Sequence, residues 1–213
     1  MPIGFQVPLV LLVMLGGSCA VFWMIVRRWT VQRRWSELAE WAAANRFTLR
    51  GEDRAARPAA LERFSQKARV LLSLSDQDTA IVQVEFAGGQ TSRRNLLIRT
   101  MQSANWPLTT LRPAGQPSSA VDLLPQGEFR SINHGERFIA GSASSAAAAA
   151  LARSSARALL PADIALVLER DNLVLDFSTR PFDPLELSRL DALAEQIVGH
   201  LPAMGNVKAP EAV

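Results

Sequence analysis

The chain has 213 residues, a length that suits one modest domain plus a short additional segment. Hydrophobic residues make up 48% of it, which excludes a globally disordered chain, and one cysteine, Cys19, excludes an internal disulfide framework. The net charge is +3, but Arg27, Arg28, Arg33 and Arg34 supply four of the 23 basic residues. Without them, the chain has 19 basic and 20 acidic residues, a net charge of −1. The rest of the chain is therefore not basic, and we predict no nucleic-acid partner.

The first predicted element is a transmembrane helix, Val7 to Val26, which contains no charged residue. About 20 such residues, at a rise of 1.5 Å each, span the roughly 30 Å of bilayer hydrocarbon. Phe22, Trp23 and Trp29 lie near its far end, where aromatic rings favour the membrane interface. A cleaved signal peptide is disfavoured because no basic residue precedes the apolar run, and lipidation is disfavoured because the run continues past Cys19.

Arg27, Arg28, Arg33 and Arg34 follow the apolar run directly, and we call them the basic collar. The positive-inside rule places the collar in the cytoplasm and residues 1–6 outside, as a short extracytoplasmic N-terminus. We therefore predict a single-pass protein of the inner membrane with its C-terminal domain in the cytoplasm. The collar residues are the predicted membrane-surface site, in contact with the lipid bilayer. The alternative is that they act only as a topology signal.

Gly16 and Ala20 form a small-xxx-small pair within the apolar run. Such pairs let two membrane helices approach closely, so a weak homodimer through these residues is one interpretation. Ordinary small residues of a membrane helix are the alternative, and we favour it.

The helix is predicted to continue beyond the membrane as a juxtamembrane segment. Trp29 to Ala44 contains neither Gly nor Pro and is rich in helix-forming residues. Asn45 is the predicted left-handed residue that ends the helix. The predicted organisation is residues 1–6 outside, 7–26 in the membrane, 27–46 as basic collar and juxtamembrane helix, 47–202 as a soluble α+β domain, and 203–213 as a polar tail.

A β-rich region follows the juxtamembrane helix. Two apolar runs surround the turn residues Asp76-Gln77-Asp78, and the second alternates apolar and polar residues. A stretch rich in Pro, Gly and Ser, Ala114 to Gly127, is predicted to be a loop. The predicted strands are Ala68 to Ser75, Thr79 to Phe86, Arg94 to Met101, Trp106 to Arg112 and Arg137 to Ala140.

An alanine-rich stretch, Ser142 to Leu160, predicts one helix because alanine has the highest helix propensity. Ser144 or Ser145 can cap its start, and Pro161 follows its end. The alternative is a low-complexity linker, which the leucines of this stretch disfavour.

The last third of the chain predicts a hairpin. Two alternating strands surround Asp171-Asn172, and a two-residue turn there places Leu168 opposite Leu175. The apolar residues of both strands then share one face. We assign Asp171 to the turn and Asp176 to the solvent face.

A C-terminal amphipathic helix follows the hairpin. Asp183 is the predicted N-cap, Pro184 the first helical residue, and Glu186 the partner that completes a capping box. Burial of this helix against the hairpin predicts an α+β fold, with an antiparallel β-sheet packed against the alanine-rich and C-terminal helices. The apolar stripe of the helix is Leu190, Leu193, Ala194, Ile197, Val198 and Leu201.

These features resemble an uncharacterised family of bacterial single-span membrane-anchored proteins with a cytoplasmic α+β domain. The resemblance covers roughly Leu38 to Leu201 and implies no activity, cofactor or catalytic residue. Its motifs here are Trp41-Ala42 with Phe47, the strand Leu108 to Pro113, the isolated Phe138, Arg157 to Pro161, and the hairpin with its Pro-capped final helix.

Known catalytic and metal-binding patterns are not found in the sequence. His134 lies in a predicted turn, His200 ends the last helix, and Cys19 lies in the apolar run, so no metal site is predicted. The sequence contains no phosphate-binding glycine motif, and we predict no cofactor. The leading interpretation is a non-enzymatic interaction or scaffolding domain that binds an unknown protein partner. The alternative is a membrane-tethered enzyme of hydrolase type, whose carboxylate site the sequence does not reveal.

Overall fold

The computed structural model describes residues 6–52, 55, 57–64, 67–87, 92–102, 104–125, 130–133 and 137–202, without the side chains of 6–21 and 130–133. The chain divides into two compact units, Met1–Trp41 and Ala42–Val213. The predicted polar tail, 203–213, lies outside the described residues, as do His134 and residues 1–5 of the predicted N-terminus.

In its described residues the first unit is a single long helix, α1 (Gln6–Ala44), whose last residues, 42–44, are counted with the second unit. The predicted membrane and juxtamembrane segments form one continuous helix of 39 residues. Among the residues that the structure describes, no helix combines the length and apolar character needed to cross a bilayer. Most side chains of Val7 to Val26, including those of Gly16 and Ala20, lie outside the described part of the chain. The transmembrane assignment is thus not supported here and stays a prediction.

The end of α1 corrects one prediction. The left-handed residue is Arg46, with φ of 63°, and not Asn45. The N–H of Phe47 donates to the carbonyl of Ala42 at 2.8 Å, and the N–H of Arg46 donates to that of Ala43 at 3.4 Å. This pair of hydrogen bonds is a Schellman motif, which places the left-handed residue one position after the C-cap.

The second unit is built on an antiparallel sheet, so the predicted α+β class is confirmed. In the described part of the chain the sheet has nine strands, in the order β1-β2-β3-β4-β9-β8-β5-β7-β6. The strands are β1 (Thr48–Gly51), β2 (Lys67–Ser75), β3 (Thr79–Ala87), β4 (Ser92–Thr100), β5 (Trp106–Pro113), β6 (Arg130–Asn133), β7 (Phe138–Ser142), β8 (Ala165–Arg170) and β9 (Asn172–Asp176).

The helices of this unit are α2 (Ser145–Arg153), α3 (Ala156–Leu159) and α4 (Pro184–His200), with 3₁₀ turns at Ala59–Arg63 and Ala120–Leu123. The single helix predicted over Ser142 to Leu160 is therefore wrong, because the chain leaves the helical conformation at Ser154 (ψ 147°). The Ser154 hydroxyl donates to the carbonyl of Leu151 at 2.8 Å, a local hydrogen bond that competes with helix propagation. Ser144 is the N-cap of α2 and accepts from the Ala147 N–H.

The β8–β9 hairpin is present, but its register differs from the prediction. The two-residue loop is Arg170-Asp171, and Leu168 pairs with Leu173 instead of Leu175. The predicted turn, Asp171-Asn172, lies one residue further along the chain. Moving the turn by one residue changes each pairing by two positions, so the apolar residues of both strands still share one face.

The two faces of the sheet are covered differently. The helix face packs against α2 and α4, which both contact α3, and it buries Leu166, Leu168, Leu173 and Leu175. The opposite face lies under the two 3₁₀ turns. That second core includes Leu61, Phe64, Val70, Val82, Val84, Phe86, Leu96, Ile98, Leu108, Val121, Leu124, Val167 and Val174.

The start of α4 follows the sequence prediction in part. The Asp183 carboxylate accepts from the Glu186 N–H at 2.9 Å, which confirms the N-cap. In a capping box the Glu186 carboxylate would also accept from the N–H of Asp183. Here that carboxylate accepts instead from Nη1 of Arg180 at 2.6 Å. The stripe is narrower than predicted: Leu187, Leu190, Ala194 and Ile197 are buried, whereas Leu193, Val198 and Leu201 are half-buried.

Candidate functional site

The first candidate site is the helical segment Phe22–Trp35 of α1, which we call the aromatic-basic segment. Nine large hydrophobic side chains are exposed in the described part of the chain, and eight lie in this segment. Leu185, on α4, is the ninth. Phe22 is 70% exposed and Trp29 is 66% exposed. All four arginines of the basic collar lie in the same segment and are also exposed.

The basic and apolar residues of this segment interleave around the helix. At 100° per residue, Arg28 lies 100° from Arg27, and Arg33 lies 120° away on the other side. Trp29 lies between Arg28 and Arg33 in sequence, and no single face of α1 collects the apolar side chains. The Arg27 guanidinium lies 5.2 Å from the ring centroid of Trp23, within cation–π range. The segment therefore presents rings and charges on all sides.

This geometry brings the four predicted membrane-surface residues together on one described helix. Amphipathic aromatic rings and long arginine side chains both favour the boundary between hydrocarbon and headgroups. Arg33 also pairs with Glu37 at 2.9 Å, and both side chains are exposed, so water weakens this pair. Nothing in the structure tests whether the collar contacts lipid, and that role stays a prediction.

The second candidate site is a cavity of about 440 Å³ at one end of the sheet, which we call the end cavity. It lies where β4 ends, β5 begins and α4 ends. Its size is within the usual range for sites that hold small organic molecules. The lining residues are Asp78, Arg99, Thr100, Met101, Gln102, Ala104, Trp106, Val198, Leu201 and Pro202.

The electrostatics near the end cavity are dominated by carboxylates. Arg99 is the cation among the described lining residues, and its Nη1 lies 3.3 Å from Oδ1 of Asp191. Burial raises the pKa of Asp191, and its neighbours Asp76 and Glu195 raise it further, while Arg99 acts in the opposite direction. The negative end of the α4 dipole lies at the same place.

The segment that forms the cavity wall between β4 and β5 is held by Asp171. The Asp171 carboxylate accepts from the N–H groups of Ala104 and Asn105, at 3.0 and 3.2 Å. The backbone carbonyl of Asp171 accepts from the Met101 N–H at 2.6 Å. Asn105 adopts a positive φ of 41° directly before Trp106. Asp171 thus fixes this wall from the neighbouring hairpin.

Sequence reasoning missed the end cavity. Its lining comes from three separated stretches of chain, at Asp78, 99–106 and 198–202, and the apolar residues of the last two match an ordinary core pattern. The one local signal is the turn Asp76-Gln77-Asp78, which turn preference alone explains. That turn is present, since the N–H groups of Asp78 and Thr79 donate to the Asp76 carboxylate at 2.9 and 2.6 Å.

A smaller cavity of about 180 Å³ lies on the opposite face of the sheet. Its apolar lining includes Phe64, Leu124 and Val174. The ion pair between Arg63 and Glu169, at 2.5 Å, also borders it. Its volume is below the usual range for organic ligands.

A buried ion pair corrects the prediction for Asp176, which is 3% exposed and not on the solvent face. Its carboxylate accepts from the Ala120 N–H at 2.6 Å and lies 3.9 Å from Arg94. Arg94 also donates to the hydroxyl of Ser118 at 2.7 Å. These bonds tie the 3₁₀ turn at Ala120–Leu123 to β4 and β9, so we assign them a structural role.

Two further polar side chains, those of His200 and Ser142, make local contacts. His200 is exposed at the end of α4, and its Nδ1 lies 2.8 Å from the carbonyl of Gln196. Ser142 is buried, and its hydroxyl is 2.9 Å from that of Thr109. Within the described residues, no three side chains of His, Cys, Asp or Glu are grouped to hold a metal ion.

Comparison with known proteins adds information on the fold. No protein-family model matches the chain, and none of the curated proteins matches it in sequence. The crystal structure of the mycobacterial trehalose monomycolate transport factor A, TtfA, is similar, with a TM-score of 0.51. The similarity covers 82% of this chain and 97% of that chain, at 10% sequence identity. At this identity the similarity shows a shared fold alone.

Proposed function

We propose that this protein is a single-pass membrane protein whose α+β domain is a non-enzymatic binding module. The observation that carries the proposal is the concentration of exposed rings, apolar side chains and arginines in the aromatic-basic segment. Exposed apolar surface of this extent marks an interaction with a membrane or a partner. The segment follows directly on the uncharged run Val7 to Val26, which favours the membrane.

The distribution of residues around α1 supports a spanning helix over one that lies in the membrane plane. An interfacial helix separates its apolar and basic residues onto opposite faces. In the aromatic-basic segment they interleave, and the charged residues begin only at Arg27. Such a pattern suits a helix that leaves the membrane along its own axis. With the collar on the cytoplasmic side, the domain lies in the cytoplasm.

A binding role for the domain is supported by the end cavity. Its lining combines apolar side chains with few charged ones, the usual composition of a ligand site. The similarity to trehalose monomycolate transport factor A supports the same choice, since that protein is named for transport and not for catalysis. No ligand is carried over from it.

Alkaline carbonate extraction of bacterial membranes tests the anchor. We expect the full chain to stay in the membrane pellet, because the apolar run crosses the bilayer. A double variant, Leu12→Lys with Leu15→Lys, places two charges in that run, and we expect it to be released or degraded. Leu185→Lys is the matched control, since Leu185 is exposed outside the segment. Release of the unmodified chain by carbonate would refute the anchor.

A further inference from the structure

We infer that the end cavity binds a small amphipathic ammonium ion, a molecule with one protonated amine on a compact apolar body. This inference is independent of membrane attachment, because every residue that carries it lies in the second unit. It rests on three features of the cavity: the charges at its rim, the end of α4, and the apolar part of its lining.

The rim favours a positive ligand. Asp78 borders the cavity and is exposed, so its carboxylate is accessible to a ligand. The positive charge of Arg99 is already paired with Asp191 at 3.3 Å. Asp76 and Glu195 add negative charge beside that pair. An incoming anion would meet these carboxylates and compete with Asp191 for Arg99, whereas a cation meets attraction from the same groups.

The end of α4 adds to this preference. Val198, Leu201 and Pro202 line the cavity at the C-terminal end of a 17-residue helix. The last carbonyl groups of a helix carry the negative end of its dipole, which attracts cations. Thr100 and Gln102 also line the cavity, and their side-chain oxygens can accept hydrogen bonds.

The remaining lining provides for an apolar body. Met101 and Trp106 are buried, and they line the cavity together with Ala104. Val198 and Leu201 are half-buried and line the same cavity. A methionine and an indole ring in one lining adapt well to a flat aromatic or short aliphatic group. A ligand can therefore place its apolar part inside and its ammonium group toward Asp78.

Three probes with one phenyl group and different head groups test the inference. They are 2-phenylethylammonium, 2-phenylethanol and 3-phenylpropionate, each titrated by ligand-observed NMR onto the full chain in a neutral detergent. We expect affinity to fall in that order. Binding of the ammonium probe should weaken about threefold in Asp78→Asn, the effect of one exposed charge pair. Glu62→Gln, which removes an exposed carboxylate at the smaller cavity, should bind it normally.

A second variant tests the location directly. Val198→Lys places an ammonium group of the protein itself at the cavity, and we expect it to abolish binding of the added probe. Because Val198 is only half-buried, this change leaves the core of α4 in place. Equal or stronger binding of 3-phenylpropionate would overturn the inference. So would the absence of binding by all three probes, or equal binding of the ammonium probe by every variant.

Discussion

At the scale of single residues, Arg180 connects two carboxylates. Its Nη2 and Nε bind the two oxygens of Asp163 at 2.6 and 2.7 Å, a bidentate pair. Its Nη1 binds the Glu186 carboxylate at 2.6 Å, and Glu186 lies in the first turn of α4. The hydrogen bonds from Arg180 hold the pKa of Asp163 below its usual value. This network joins the start of α4 to the segment before β8.

Replacement of Arg180 tests this network. Arg180→Ala removes the 2.6 Å partner of the nearly buried Glu186 carboxylate and leaves it the exposed Arg189 at 3.7 Å, so we expect a loss of about 2 kcal/mol in the free energy of unfolding. Arg180→Lys keeps the charge but not the bidentate geometry, so its loss should be intermediate. Arg153→Ala, an exposed arginine on α2, is the control. Chemical denaturation of the full chain measures all three. A variant R180A as stable as the wild type would contradict this account.

The lowered pKa of Asp163 predicts that the fold loses part of its stability in acid. Its folded-state pKa is lowered below the ordinary 3.8, mainly by the hydrogen bonds from Arg180. A lowered pKa means that its contribution is present above pH 3.8 and is lost as the pH falls through the folded value. We therefore expect Asp163→Asn to flatten the decline in stability below that pH. Melting curves over a series of acidic buffers check this, and parallel declines would refute it.

At the scale of elements, substitutions in α4 test where the observed burial of its side chains differs from the burial predicted from the sequence. Ile197 is fully buried, whereas Leu193 is half-buried, although the sequence pattern assigns both to one stripe. Ile197→Asp should cost several kcal/mol by burying an unpaired charge, on the order of 3 to 5, and Leu193→Asp clearly less. Ala192→Asp, on the exposed side of α4, is the control. Equal melting temperatures for I197D and the wild type would show that this contact is not core.

Local signals explain which elements the sequence predicts well. The N-cap at Asp183 and the alternation along β8 and β9 depend on neighbours in sequence, and the structure contains both. The hairpin register depends on more distant residues. Asp171 hydrogen-bonds to the wall of the end cavity, and Arg170 takes a positive φ of 50°, so the loop falls one residue earlier than predicted.

The end cavity and the buried pair between Arg94 and Asp176 were not predictable from the sequence. Arg94 and Asp176 are 82 positions apart in sequence, and strand pairing brings them together. An alternating strand pattern assigns such a charged residue to solvent, because it does not reveal that both faces of the sheet are covered. The end cavity was missed for a similar reason, because the chain segments that line it resemble ordinary core segments in sequence.

At the scale of the whole molecule, the basic collar has two possible roles, contact with lipid and a topology signal, and an experiment distinguishes them. Basic residues near an anionic leaflet gain about 1 kcal/mol each, screened over a Debye length of ~8 Å at physiological salt. A fragment that starts at Arg27 should bind anionic liposomes weakly and dissociate in high salt. A fragment that starts at Trp35, of net charge −1, should not bind.

Liposome flotation compares the two fragments. Equal binding by both would move the membrane contact into the domain. No binding by either would leave the collar as a topology signal alone, which contradicts its role as a membrane-surface site.

Cysteine accessibility on the two sides of the membrane tests the central claim most directly, because it reports the span and its direction together. In a Cys19→Ser background, one cysteine is placed at Gly4 or at the exposed Ser36. A membrane-impermeant maleimide is applied to spheroplasts and to inverted vesicles. We predict that Gly4→Cys is labelled only in spheroplasts and Ser36→Cys only in inverted vesicles. Labelling of both positions from the same side would contradict a single span at Val7 to Val26.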